Sequence, residues 1–240
     1  MQAVLEASGL TKRFSDVAAL DGLDLQVSRG EIVCLLGANG AGKTTTINLL
    51  LGFLKPTAGS TCVAGLDVAA DPAAARARLG YVAEVVSLYP SLTGAENLAF
   101  FHALSGQPPL TKARRDEILQ SLAFPMDAVD RHVGAYSKGM RQKLGLAIAL
   151  AKDVEAILLD EPLSGLDPAS ANDLVEVLRG VASRGLALLV STHDIFRAVE
   201  IATRIGIMRH GRLLEWLDPR TLSAKELEVI YLRHMAERAA

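Results

Sequence analysis

The stretch "EIVCLLGANGAGKTTTINLLLGF", Glu31 to Phe53, changes pattern twice within 23 residues. Ile32, Val33, Cys34, Leu35 and Leu36 form a continuous apolar run, as in a strand buried on both faces of a parallel sheet. Residues 43–53 carry apolar side chains at helical spacing, and Gly52 with Pro56 marks the stop. Between the two stands "GANGAGKT", which fits G-x-x-x-x-G-K-[ST] in the strand-then-helix setting that the motif requires. Glycines at Gly37, Gly40 and Gly42 let the backbone curl, so that N–H groups around Asn39, Ala41 and Thr45 point at phosphate oxygens. Lys43 then reaches the β- and γ-phosphates of a nucleoside triphosphate, and the Thr44 hydroxyl holds Mg²⁺.

Outward from this loop, "AVLEASGL" and "LDLQV" read as strands of an N-terminal β region. From about Ser91 to Ala151 the pattern turns helical, in "TGAENLAFFHAL", "KARRDEILQSL" and "GMRQKLGLAIALA". Strand and helix then alternate through "AILLDEP", "ASANDLVEVLRGVASR", "GLALLVST", "DIFRAVEIAT" and "RIGIMR", a rhythm that implies crossover units and a mainly parallel sheet. The expected fold is α/β: a P-loop NTPase core with an N-terminal antiparallel β region and a helical insertion. The expected divisions are one domain over 1–222, with core 1–90 and 152–222 and helical subdomain about 91–151, then a C-terminal helix over 223–240.

Composition narrows the class. The 240 residues are half hydrophobic and carry 25 basic against 27 acidic side chains without a basic block, so no nucleic-acid partner is expected. Cys34 and Cys62 lie in apolar strand-like contexts and read as small buried hydrophobes, not as a disulfide or metal framework. The start "MQAVLEASGL" lacks a secretory pattern, and no apolar run is long enough to cross a bilayer. The expectation is an intracellular chain whose membrane role, if it has one, comes through a partner.

"AILLDEP" delivers Asp160 to the carboxyl end of a strand, where ligands of open α/β sheets gather, and Asp160 suits the Mg²⁺ site. Glu161 precedes Pro162, which biases it toward an extended backbone and aims its carboxylate past the metal at a water. A DE pair at a strand end is ordinarily a solvated turn; beside a phosphate loop it reads as catalytic. "VSTHD" places His193 at another strand end, within reach of a γ-phosphate. In "LSGLDPAS", Asp167 before Pro168 is a helix cap. "YSKGMRQ" opens a helix with Ser137 and Gly139, a hydroxyl and backbone N–H groups at a positive helix end suited to an anion.

In this order, the motifs resemble the nucleotide-binding subunit of ATP-binding cassette (ABC) transporters, over about Leu5 to Leu214. The phosphate loop and Asp160–Glu161 fit many NTPases; "YSKGMRQ" selects the family. The resemblance implies a head-to-tail dimer of two ABC ATPase chains, in which Ser137 and Gly139 bind ATP held by the partner's phosphate loop. It implies that Phe14 stacks on adenine, that Asp167 crosses the dimer, and that His193 is the switch histidine. Two positions depart from the family pattern. Lys138 stands where a glycine is usual, and Glu84 where a glutamine usually senses Mg²⁺ and the membrane partner; a glutamate there can accept from water or bind a metal.

The implied function is ATP binding and hydrolysis, with Mg²⁺, by a subunit that drives a separate transmembrane permease, in the exporter-like branch. The implied location is cytoplasmic, peripheral on the inner face of the cell membrane. Val85, Val86, Leu88, Tyr89 and Pro90 form an apolar stretch that suits permease docking, or packing of the insertion onto the core. The main alternative is a non-transport, single-cassette ABC ATPase in a soluble assembly complex. A phosphotransferase is opposed by Glu161 placed for water, and a binding module without turnover by the full catalytic set.

Overall fold

The computed structural model describes residues 3–236. Strands β1 (Ala3–Phe14), β2 (Val17–Ser28) and β3 (Ile32–Leu36) lead into helix α1 (Lys43–Leu50). β4 (Ala58–Val63), β5 (Leu66–Asp67), α2 (Pro72–Ala77) and β6 (Leu79–Val82) come next. Three helices follow: α3 (Gly94–Ala103), α4 (Lys112–Ser121) and α5 (Lys138–Leu150). The chain continues through β7 (Ala156–Asp160), α6 (Pro168–Ser183), β8 (Ala187–Thr192) and α7 (Ile195–Ile201). It ends with β9 (Arg204–Arg209), β10 (Arg212–Leu217) and α8 (Ala224–Ala236). Residues 1–2 of the expected core and 237–240 of the expected C-terminal helix lie outside the described residues.

The central sheet has the order β10-β9-β3-β8-β7-β6, parallel throughout except for β10, which pairs antiparallel on the edge. Every residue of β3, β7 and β8 is buried, as continuous apolar runs require. Alternate side chains divide the core in two. Val33, Leu35, Leu158 and Leu189 pack with Ile47 of α1 and with Leu5, Leu23 and Leu25 of the second sheet. Cys34, Leu36, Ile157, Leu159 and Val190 pack on the other face, with helical residues such as Leu144, Leu174 and Leu178. Each fully buried aliphatic side chain of β3 contributes about 1.5–3 kcal/mol, which anchors the strand that carries the loop.

The second sheet, β2-β1-β4-β5, is antiparallel, as expected for the N-terminal region. Cys34 is buried on β3, whereas Cys62 on β4 is only half-buried, short of the burial expected for it. Both are free thiols, and burial pushes the Cys34 thiol far above its usual range. Helix α5 lies directly on β6: a Cβ at Gly80 would meet the Ala149 Cβ at 2.6 Å. The same cluster of buried residues runs on through Leu98, Ile118, Leu119 and Leu122, so α3 and α4 share the core of the sheet's helical face. No helix of the described residues is long and apolar enough to cross a membrane.

Candidate functional site

β3 ends where the phosphate loop begins, at the carboxyl edge of the sheet. Gly40 (φ +82°) and Gly42 (φ +108°) adopt left-handed backbone that a side chain would strain. Gly42 also lacks room, since a Cβ there would lie 2.7 Å from Leu20 Cδ2; at Gly37 it would lie 2.5 Å from the Met208 carbonyl oxygen. The loop is pinned from two sides, by Gly37 N–H to the Thr192 carbonyl (3.2 Å) and Gly211 N–H to the Ala41 carbonyl (3.0 Å). No side chain caps α1 and no acidic residue occupies its first turn, so its opening N–H groups are left for an anion. Residues 38–45 line a cavity of about 520 Å³ together with residues 17–19, Glu84, Asp160, Glu161 and His210. That volume is within the range of small-molecule sites.

β7 delivers the acidic pair and β8 supplies Ser191 beside it. Thr44 Oγ1 donates to Asp160 Oδ2 at 3.0 Å, two hard oxygens of the kind Mg²⁺ takes. The Ser191 hydroxyl donates to Asp160 Oδ1 in a short hydrogen bond. Glu161 corrects the expectation of an extended backbone: its φ is +48°. The bias from Pro162 is overridden because the Glu161 N–H donates to both the Ser191 carbonyl and hydroxyl oxygens, each at 3.1 Å. This turn sends the Glu161 carboxylate to Lys43 Nζ, 3.5 Å from Oε1, and to His193 Nδ1, 3.0 Å from Oε2. Lys43 itself is buried and also donates to the Ala38 carbonyl (3.3 Å) and to the Gly37 carbonyl. Glu161 Oε1 is buried and makes no hydrogen bond; the Lys43 ammonium is the cation that faces it.

Ser191 is thus the hub of the acidic pair, a role that no motif in the sequence marks. Its signal, a hydroxyl two positions before His193 at a buried strand end, was present but unspecific. Ser191→Ala is expected to cost about 1–3 kcal/mol of stability, the usual consequence of leaving a buried partner unsatisfied. Urea unfolding measures it. His210, at the turn between β9 and β10, was also missed, although it lines the cavity.

Not every expected residue reaches this cavity. Ser137 and Gly139 line a separate one of about 300 Å³ with Lys143, Ser170 and Asp173. Tyr136 is buried and its hydroxyl donates to the Ala128 carbonyl at 2.6 Å, which anchors the start of α5. Ser137 caps that helix, accepting from the Met140 N–H at 3.2 Å, and its hydroxyl proton stays available to an anion. Asp167 is exposed and caps α6, accepting from Ser170 Oγ at 2.6 Å and Ser170 N–H at 3.0 Å. Those bonds, the hydroxyl's first, hold its carboxyl below the usual carboxylate range. Phe14 is exposed at the end of β1, with Lys12 Nζ 5.0 Å from its ring centroid. Glu84 lines the loop cavity, but no group of three metal-binding side chains forms among the described residues. Its Oε1 accepts instead from Ser164 Oγ at 3.1 Å.

A larger cleft, about 620 Å³, opens at the opposite edge of the central sheet. Its arginines are paired, Arg29 with Glu155, Arg204 with Glu31 and Arg220 with Asp218, and no residue of the phosphate loop borders it.

Known proteins share this fold. The family described as "ABC transporter" matches residues 20–164. "Daunorubicin/doxorubicin resistance ATP-binding protein DrrA" of Streptomyces peucetius is 36% identical over 211 residues, 88% of this chain and 64% of that protein. "Probable multidrug ABC transporter ATP-binding protein YbhF" of Escherichia coli (strain K12) is 37% identical over 226 residues, 93% of this chain and 39% of that protein. The chain therefore spans less than two thirds of the length of either. Among solved structures, "Structure of ATP binding subunit of ABC transporter" superposes with a TM-score of 0.81 at 28% identity, covering 95% of this chain and 99% of that one.

Proposed function

The chain belongs to the ABC transporter family, and from that premise we propose that it binds and hydrolyses ATP to drive a separate membrane permease, as part of an exporter. The observation that carries this reading is the line from Lys43 through Glu161 to His193, set beside the Thr44–Asp160 pair at one sheet edge. The phosphates lie in the loop of residues 37–45, held by backbone N–H groups and Lys43, and Phe14 stacks on adenine. Thr44 and Asp160 would hold Mg²⁺, which would supply positive charge to the phosphates. Glu161 accepts a proton from a water whose oxygen attacks the γ-phosphorus, while the bond to the bridging oxygen breaks and ADP leaves. His193 holds the Glu161 carboxylate toward that water.

The separation of Ser137 and Gly139 from the loop cavity supports a site completed in trans. In the proposed dimer they meet the γ-phosphate held by a second ABC ATPase chain, and Asp167 crosses between the two. Loss of the γ-phosphate removes the bridge, and the dimer opens. The permease docks beside Glu84, where Val85 is 73% exposed and Tyr89 packs edge-on against Phe100 at 4.9 Å between centroids. An exposed aromatic cluster of this kind fits an apolar helix of a partner. The chain acts at the inner face of the cell membrane, held there by the permease. The relatives' names for drug resistance and multidrug transport support export over import.

The transport reading is tested by tagging the Glu161→Gln chain in its native cell and extracting membranes in mild detergent with MgATP. A multi-span membrane protein in stoichiometric amount is the expected companion. A soluble complex lacking one contradicts the transport reading and leaves the ATPase assignment in place.

A further inference from the structure

The two positions that depart from the family pattern, Lys138 and Glu84, are 54 residues apart in sequence and meet at one residue. Lys138 Nζ donates to the Ser164 carbonyl in a short hydrogen bond. The Ser164 hydroxyl donates to Glu84 Oε1 at 3.1 Å. Gln142, one turn after Lys138 on α5, donates from Nε2 to the Glu84 carbonyl at 3.0 Å. These contacts close a ring: two side chains of one helix, the loop after β6 and the loop after β7. Ser164 N–H also donates to the Glu161 carbonyl at 3.1 Å, so the ring reaches the proposed base through its own peptide.

We propose that Lys138 is a positioning residue, which locks the Glu84 loop, the Ser164 loop and α5 into one unit. A cation at 138 gains what glycine cannot, a charge-assisted bond to a peptide oxygen of residue 164. Gly165 suits this arrangement: its φ is +62°, and a Cβ there would lie 3.3 Å from Lys138 Nζ. The Glu84 side chain thereby serves the ring, with Ser164 as its partner. A push on the exposed loop at Glu84 is transmitted to the peptide of Glu161 and to the helix that presents Ser137. That the ring governs turnover rests on the ATPase reading; the mechanical link does not.

The test therefore begins without nucleotide. Hydrogen exchange of the intact chain is compared for the parent, Lys138→Met, Lys138→Arg and Ser164→Ala, in peptides covering residues 162–167. Lys138→Met is expected to speed exchange at the Ser164 and Leu166 amides about tenfold, with Lys138→Arg restoring the parent rate to within about twofold. Phosphate release is then measured on the same proteins. Lys138→Met lowers kcat about tenfold with KM for ATP unchanged, and the double variant Lys138→Met/Ser164→Ala is no worse than the poorer single one. Unchanged exchange in Lys138→Met overturns the proposal. So does a raised KM with a silent Ser164→Ala, the pattern of a lysine acting directly on the partner's nucleotide. Faster exchange in a chain whose parent releases no phosphate supports the ring and removes the ATPase reading.

Discussion

Glu161→Gln is expected to lower phosphate release by about a hundredfold to ten-thousandfold, the range typical of a positioned general base, while ATP binding persists. The substitution keeps the shape of the side chain and removes the group that takes the proton. The loop contacts to the phosphates do not involve this carboxylate, so affinity has no reason to fall. Its backbone turn is fixed by the two bonds to Ser191 and not by the side chain, so the φ of +48° survives. Loss of Lys43's ion-pair partner, 3.5 Å away, leaves that amine freer to engage phosphate. The ATP-bound dimer then accumulates, which size-exclusion chromatography with and without MgATP detects. Parent-like hydrolysis by Glu161→Gln removes the residue from the base role.

Lys43→Ala is expected to act at the other end, on binding. Its amine is buried and surrounded by the Gly37 and Ala38 carbonyls and the Glu161 carboxylate. Such a cation is oriented by the protein before any ligand arrives, and a triphosphate replaces the carbonyls with charged oxygens. Hydrogen bonds to charged groups contribute about 1.5–3 kcal/mol each. Losing one weakens ATP binding by about tenfold to a hundredfold, and losing two by about a hundredfold or more. Equilibrium binding of a fluorescent ATP analogue measures this, with thermal unfolding to show that the variant is folded. Unchanged affinity contradicts the phosphate-loop assignment.

Local chemistry was legible in the sequence; geometry between distant segments was not. The loop of residues 37–44 could be read because its strand, glycines, lysine and threonine are contiguous. The cap at Asp167 and the helix opening at Ser137 were legible for the same reason. The start of α2 was not read, although Asp71 before Pro72 is a cap followed by proline and accepts from the Ala73 and Ala74 N–H groups. Glu161 went the other way. A neighbour rule predicted an extended residue, and two hydrogen bonds from the Glu161 N–H to Ser191, 30 positions later, decided otherwise. The ring of Lys138, Ser164, Glu84 and Gln142 joins segments 26, 80 and 58 positions apart, and no local pattern announces it. Sequence could mark Lys138 and Glu84 as departures, but only the fold shows that they share a partner.

The central claim is that each site takes its phosphate loop from one chain and its Ser137 helix from another. Mixing two inactive chains tests it most directly. One carries Lys43→Ala, with its Ser137 helix intact; the other carries Ser137→Arg, with its phosphate loop intact. In a head-to-tail dimer of the two, one site draws only on unaltered elements. Phosphate release that appears on mixing, and that neither chain gives alone, is the predicted result. A mixture as silent as its parts would contradict the shared site.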